Sequence, residues 1–192
     1  MTDPSPAPDA HAFRRTIGLF ATGVSVVALQ TPDGVAGMTA NAICSVSLDP
    51  LLVLVCVDRK ARLARDLGVG RPFSINILRE DQEVLSRYFG GGWHDLPPPE
   101  FRFEDWDGTP RLVGALASIR CAVDRLHDGG DHWIVLGQVA GLFEASEPSN
   151  PLIFYAGRYR RLALLPVPAA PPERWGPDGA SISCEDRGAP RE

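Results

Sequence analysis

Between residues 24 and 164 the apolar residues come in short runs, each closed off by glycine, proline, aspartate or charge. Runs of that length predict β-strands, and only a few segments carry the spacing of a helix. Asp9 is placed to cap a first helix, with Phe13, Ile17 and Phe20 or Ala21 on one face and Gly23 as its stop. Val24 to Gln30 reads as a strand. The signal Thr31-Pro32-Asp33-Gly34 turns it back, because proline pre-sets φ and glycine tolerates positive φ, and Val35 to Ala40 returns as its hairpin partner. Ala42 to Leu48 alternates small polar with apolar residues, the period of a strand with two different faces. Asp49-Pro50 interrupts it, and the unbroken apolar run Leu51 to Val57 predicts a buried strand. Lys60 to Leu67 predicts a short helix closed by Gly68, and Pro72 to Leu78 another strand. Asp81 to Phe89 predicts a helix with an acidic cap and a stop at Gly90.

Gly90 to Pro110 shows no clear period and carries Gly90-Gly91-Gly92, Pro97-Pro98-Pro99 and the aromatics Trp93, Phe101, Phe103 and Trp106. A loop of that length inside a domain points to a function or a lid. Two long strand-like runs follow, Leu112 to Leu126 and Trp133 to Phe143, with Asp128-Gly129-Gly130-Asp131 as the turn between them. Leu152 to Tyr155 and Tyr159 to Leu164 close the pattern, with Gly157 between them. Together these elements predict a mainly β fold, an antiparallel barrel with short peripheral helices. A doubly wound dinucleotide fold does not fit. Its strand–helix alternation is missing, and Gly68-Val69-Gly70 lacks the third glycine and follows a helix.

Composition changes this picture little. The 192 residues fit one domain, expected over 9–165, between a proline-rich, disordered N-terminus at 1–8 and a proline- and glycine-rich tail at 166–192, also expected to be disordered. A formal net charge of −5 gives no support to nucleic acid binding, and no apolar run reaches the ~20 residues of a membrane span. The N-terminus lacks the basic and apolar regions of a secretory signal, so a cytoplasmic location is expected. Cys44, Cys56, Cys121 and Cys184 form no CxxC pair and read as reduced thiols.

The candidate chemistry centres on Gly37 to Lys60. Thr39, Ala40, Asn41, Ala42, Ser45 and Ser47 are small, and small residues let a backbone approach a flat ligand closely. By pattern alone Thr39, Asn41, Ser45 and Ser47 fit the solvated face of a strand. They also fit the edge of a flavin, whose pyrimidine rim alternates donors and acceptors. Arg59, Lys60, Arg62 and Arg65 read either as a solvated helix face or as a phosphate site in which Arg59 or Lys60 acts with free amides at the helix start. His132, after a Gly-Gly-Asp turn, reads as a structural histidine or as a donor beside a cofactor at the barrel rim. Arg158 and Tyr159, in Gly157-Arg158-Tyr159-Arg160-Arg161, read as a strand end or as a contact for an anionic aromatic ligand. No metal is expected, since the histidines and cysteines lack ligand spacing, and no GxSxG elbow supports a serine nucleophile.

Taken in order, FRRTIGLFATGVSVV, GMTANAICSVSLDPLLVLVCVDRK, FSINIL with DQEVLSRYF, GDHWIVLGQVAGL and PLIFYAGRYRRL resemble the short-chain flavin reductases, which supply reduced flavin to two-component monooxygenases. The resemblance runs from about Phe13 to Leu162. It implies an FMN-binding split β-barrel, Greek-key-like, a homodimer, and hydride transfer from NADH or NADPH to FMN or FAD for a partner flavin-dependent monooxygenase. It also implies that Thr39, Ala40, Asn41 and Ala42 line the flavin, with Ser45, Val46 and Ser47 beside its ring and ribityl chain. Cys56, Val57, Asp58, Arg59 and Lys60 would run toward the phosphate, and Phe89 would lie near the flavin's outer end. His132 would stand near the nicotinamide as the catalytic residue, with Arg158 and Tyr159 at the same opening. Gly91 to Trp106 departs from the family by its length and aromatic content. A flavin-binding barrel without turnover, acting as a carrier, a sensor or an oxygenase accessory subunit, is the alternative.

Overall fold

The computed structural model describes residues 7, 9–94, 96–147 and 149–162. The segments expected to be disordered, apart from Ala7, lie outside the described residues, as do Cys184 and the end of the expected last strand. In chain order the elements are α1 (Ala10–Ile17), β1 (Thr22–Gly23), β2 (Ser25–Thr31), β3 (Gly34–Ala40), β4 (Ile43–Leu48), β5 (Leu51–Asp58) and a 3-10 turn at Arg62–Asp66. They continue as β6 (Pro72–Ile77), α2 (Glu83–Phe89), β7 (Phe103–Trp106), β8 (Thr109–Leu112), β9 (Ala117–Gly129), β10 (His132–Glu144), β11 (Ile153–Tyr155) and β12 (Arg158–Arg160).

Seven strands form one antiparallel sheet in the order β3-β2-β6-β9-β10-β5-β4. Sheets of this size twist, and here the two ends curl toward each other until β3 packs across the interior against β5. Val27, Leu29 and Ala36 from one end and Val53, Val55 and Val57 from the other then share a single core with Phe73, Ile75 and Val135. The result is the split barrel, left open between its edge strands. A second apolar cluster lies outside it, where Val26, Leu78, Leu85, Leu112 and Leu152 bring together β2, α2, β8 and the small sheet β1-β11-β12.

Several elements depart from the sequence reading, each for a local reason. The first helix stops at Gly18, not Gly23, because the Gly18 carbonyl turns to accept from the Ala156 amide at 2.7 Å. Val53, Val55 and Val57 are buried in β5, but Leu52, Leu54 and Cys56 between them are only half-buried, since the outer face of the barrel wall has no layer upon it. The Lys60 to Leu67 helix is only the 3-10 turn. Asp81 does not cap α2: both its oxygens are taken by Arg79, at 3.1 and 2.7 Å, and Gln82 occupies the cap position. The long loop contains the β7-β8 hairpin, turned at Asp107 and Gly108 with φ of 49° and 76°. The run from Leu112 to Leu126 is two strands, separated at Gly114, whose φ is 80°.

Candidate functional site

Six consecutive residues, Gly37 to Ala42, line one cavity of about 460 Å³. Side chains of a strand alternate between faces, so one face offers every second residue. Consecutive residues can line the same space only edge-on, through the main chain. β3 is an edge strand of its sheet, and the outer edge of such a strand carries backbone N–H and C=O groups with no partner strand. The cavity therefore has a wall of donors and acceptors with little side-chain bulk in front of it, except that at its end the Ala42 carbonyl already accepts from the Cys56 amide at 3.1 Å.

Small residues keep that wall open. Opposite it stand Cys56 and Asp58 of β5 with Ala61, and at one end Phe89, Gly90 and Gly91. Burial pushes the Cys56 thiol up, so it stays neutral at physiological pH. Thr39 is braced from behind: its hydroxyl donates to the Ser86 carbonyl at 2.7 Å. The Asn41 side-chain amide donates to the Thr22 hydroxyl at 3.2 Å. Gly90 ends α2 tightly, since a Cβ there would meet the Ser86 carbonyl oxygen at 2.9 Å.

Cations and a histidine stand at the cavity. Lys60 and Arg62 line it, and His132 does so from the first residue of β10, opposite Asp58 in register. His132 Nδ1 lies 2.7 Å from Asp131 Oδ1, which orients the ring and leaves Nε2 as its other polar atom. The same contact holds the Asp131 carboxyl below the usual carboxylate range. Among the described residues no three His, Cys, Asp or Glu side chains gather as metal ligands, and no helix is long and apolar enough to cross a membrane.

Of the residues expected from sequence, Thr39, Ala40, Asn41, Ala42, Cys56, Asp58, Lys60, Phe89 and His132 meet at this cavity. Seven others do not. Ser45, Val46 and Ser47 follow β4, which pairs with the far side of β5 and bulges between Ser45 and Ser47, so all three pass onto the sheet edge. The side chain of Val57 points inward and is wholly buried. Arg59 is already committed, 2.5 Å from Asp128, 2.8 Å from the Gly130 carbonyl and 3.7 Å above the Trp133 ring. The amides expected to be free for phosphate are also used, since Lys60 N–H donates to Asp58 Oδ1 and Ala61 N–H to the Asp58 carbonyl. Tyr159 lies behind the wall, with its hydroxyl 2.8 Å from Ser86, where it helps to line a smaller void with Thr39 and Asn41. Arg158 is exposed on the β11-β12 hairpin. Sequence reasoning missed Gly37, Met38, Ala61, Gly90 and Gly91 as lining residues. It saw Arg62 only as part of a basic cluster.

Comparison with known proteins adds a family. The flavin reductase like domain matches residues 17–163. An NADH-dependent flavin reductase from Rhodococcus sp. is 41% identical over 155 residues, which cover 79% of this chain and 86% of the relative. The reductase component of 4-hydroxyphenylacetate 3-monooxygenase from Thermus thermophilus is 39% identical over 152 residues, covering 79% of this chain and 96% of the relative. Among solved structures, the Streptomyces globisporus C-1027 NADH:FAD oxidoreductase SgcE6, in complex with NAD and FAD fragments, superposes with a TM-score of 0.72 at 36% identity, covering 81% of this chain and 94% of that one.

Proposed function

This chain belongs to the flavin reductase like family, and from that premise we propose that it transfers hydride from a reduced nicotinamide dinucleotide to FMN or FAD and releases the reduced flavin to a partner flavin-dependent monooxygenase. The observation that carries the reading is the main-chain wall from Gly37 to Ala42, with two cations and a histidine at the same cavity. The cavity volume of about 460 Å³ falls within the range of small-molecule sites. The alternating donors and acceptors of a strand edge suit a pyrimidine rim.

When bound, the flavin supplies the redox chemistry, accepting at N5 the hydride that leaves nicotinamide C4. The protein's part is placement. Main-chain groups of residues 38–42 hold the ring edge and stabilise charge that develops near it. Lys60 meets the phosphate. Phe89 bounds the ring's outer end. His132, oriented by Asp131, meets the nicotinamide carboxamide or holds a proton near the reacting rings. Tyr159 is a positioning residue, holding Ser86 and through it Thr39.

The active form is a homodimer. Along α1 and the segment after it Phe13, Ile17, Leu19 and Phe20 are exposed, Phe20 to 71%, and Ile17 and Phe20 line a groove of about 630 Å³ together with Ala42 to Cys44 and Leu54. Apolar patches of that kind mark interaction sites. A second copy across this groove would complete the open side of the barrel beside the flavin wall. The unpaired thiols of Cys44, Cys56 and Cys121 fit a cytoplasmic location. NADH oxidation by the purified chain, followed with and without FMN or FAD, tests the activity. Flavin-dependent turnover supports it, and flavin binding without turnover would replace it with the role of a carrier.

A further inference from the structure

Asp128 to Asp131 turn β9 back into β10, and His132 follows as the first residue of β10. The middle residues of that turn are Gly129 and Gly130, the latter at a φ of 77°. A glycine pair leaves the backbone free to move unless something outside the turn holds it. Among the described residues the His132 ring has its hydrogen bond from Asp131, which is itself a turn residue with its side chain 86% exposed. The ring is therefore no firmer than the turn. What holds the turn is Arg59, the residue after β5. Its backbone N–H donates to the Asp131 carbonyl at 3.1 Å, its Nε to the Gly130 carbonyl at 2.8 Å and its Nη2 to Asp128 Oδ2 at 2.5 Å. The Gly130 N–H donates to the other Asp128 oxygen at 3.0 Å. The guanidinium carbon lies 3.7 Å from the centroid of the Trp133 ring. Arg59 thus bonds the residues before His132 and packs on the one after it. It does so from outside the cavity, which its neighbours Asp58 and Lys60 line.

We propose that Arg59 is a positioning residue for the reaction, fixing the His132 ring at the cavity by clamping the Asp128–Asp131 turn and the Trp133 face. The proposal rests on the reading of His132 as the residue beside the nicotinamide and deepens it. The clamp uses what a guanidinium has and an ammonium lacks, donors along a planar edge and a flat face for an indole. The ion pair with Asp128 is worth little by itself at an exposed site. Its use is geometric, since three donors of one residue tie Asp128, Gly130 and Asp131 to the end of β5. The Asp131 carboxylate accepts at His132 Nδ1, so a neutral ring carries its proton there. Release of the turn frees both the tautomer and the angle of the ring, and a reaction between stacked rings loses rate when a contributing group is misplaced.

The test uses the full chain with Arg59→Ala, Arg59→Lys and Asp128→Asn. The Asp128 side chain is 79% exposed and lies outside the cavity lining, so its replacement reports on the clamp and not on ligand contact. Nitrogen-15 imidazole spectra at about pH 8.5, where a free imidazole is neutral, read the His132 tautomer without turnover, with His132→Ala supplying the assignment. The wild type should show the Nδ1–H form, Arg59→Ala a mixture of both tautomers, and Arg59→Lys and Asp128→Asn a state between them. In steady-state kinetics Arg59→Ala should lower kcat about fivefold with KM for FMN unchanged, and the loss should vanish in the His132→Ala background. An unaltered His132 spectrum in Arg59→Ala would overturn the proposal, as would an altered spectrum with an unaltered kcat. An equal loss of kcat in both backgrounds would also overturn it, because Arg59 would then act elsewhere. So would a KM for FMN raised in Arg59→Ala but not in Asp128→Asn, which would make Arg59 a ligand of the flavin phosphate. If Arg59→Ala loses the wild-type circular dichroism spectrum, Asp128→Asn replaces it under the same spectral and kcat criteria. A wild-type rate in His132→Ala would refute the reading of His132, and the spectra then decide by themselves whether Arg59 sets the ring.

Discussion

Replacing Gly37 with alanine should push Phe89 off its place at the end of the cavity. A Cβ at position 37 would lie 2.8 Å from both Cδ1 and Cε1 of Phe89, and 3.4 Å from Val26 Cγ1. Ordinary carbon contacts begin near 3.5 Å, so the ring must retreat by roughly 0.7 Å. It has little room, because Tyr88 and Phe101 sit with centroids 5.0 Å away and Phe103 at 6.0 Å. Overpacking of this kind costs about 1–3 kcal/mol. If half of that strain falls on the ligand-bound form, KM for FMN rises about twofold to twelvefold. Urea denaturation gives the stability, and flavin-dependent NADH oxidation gives the KM. Gly23→Ala is the control, since a Cβ there meets nothing within 4 Å, and it should leave both quantities unchanged. Gly37→Ala combined with Phe89→Leu should recover part of the lost stability, because the smaller side chain can yield. Wild-type stability and wild-type KM in Gly37→Ala would refute this packing argument and with it the role given to Phe89.

Further tests address other parts of the site. His132→Ala should lower kcat at least tenfold, about 1.4 kcal/mol of transition-state stabilisation, and an unchanged rate would remove His132 from the chemistry. Arg59→Ala should destabilise the fold by about 1–2 kcal/mol, the sum of a cation–π contact and a surface ion pair, with little change in KM for FMN. Lys60→Ala should do the reverse, and steady-state kinetics with chemical denaturation separates the two. Burial raises the Cys121 thiol from 9.0 in the unfolded chain to about 12 in the fold. The folded state therefore keeps a proton that the unfolded state gives up above pH 9. Stability should be intact below pH 9 and fall as pH climbs toward 12, by roughly 2–3 kcal/mol at pH 11. Denaturation curves at pH 8 and pH 11 for the wild type and Cys121→Val measure it, and equal losses in both would assign the effect to other groups. Phe20→Glu should yield monomers by sedimentation if α1 and the segment after it form the dimer face, and an unchanged dimer would move the interface elsewhere.

Strand existence and strand order in sequence were legible because turn chemistry bracketed nearly every apolar run, as at Thr31 to Gly34 and Asp128 to Asp131. The Asp107-Gly108 hairpin was equally legible and was missed, its signal hidden among aromatic residues that suggested a lid. The small-residue stretch pointed to Gly37 to Ala42, which line the cavity, but period and composition cannot say where an edge strand leaves its cavity. Ser45, Val46 and Ser47 belong to the same stretch and yet lie on β4, outside the lining of that cavity. Arg59 and Tyr159 were visible as residues able to meet ligands. Their capture by Asp128 and Ser86 depends on contacts 69 and 73 residues away in sequence, which no local pattern contains. Gly90 reads in sequence as a helix stop and Gly37 as one residue of a strand, whereas both also give steric clearance, around the Ser86 carbonyl and around Phe89.

A crystal structure of the chain grown with FMN or FAD tests the site most directly. The isoalloxazine rim should lie within hydrogen-bond distance of main-chain groups of residues 38–42, with its phosphate near Lys60. A ring seated elsewhere, or a wall that closes in solution and admits no flavin at any accessible concentration, would contradict the assignment of that strand edge as the flavin's platform.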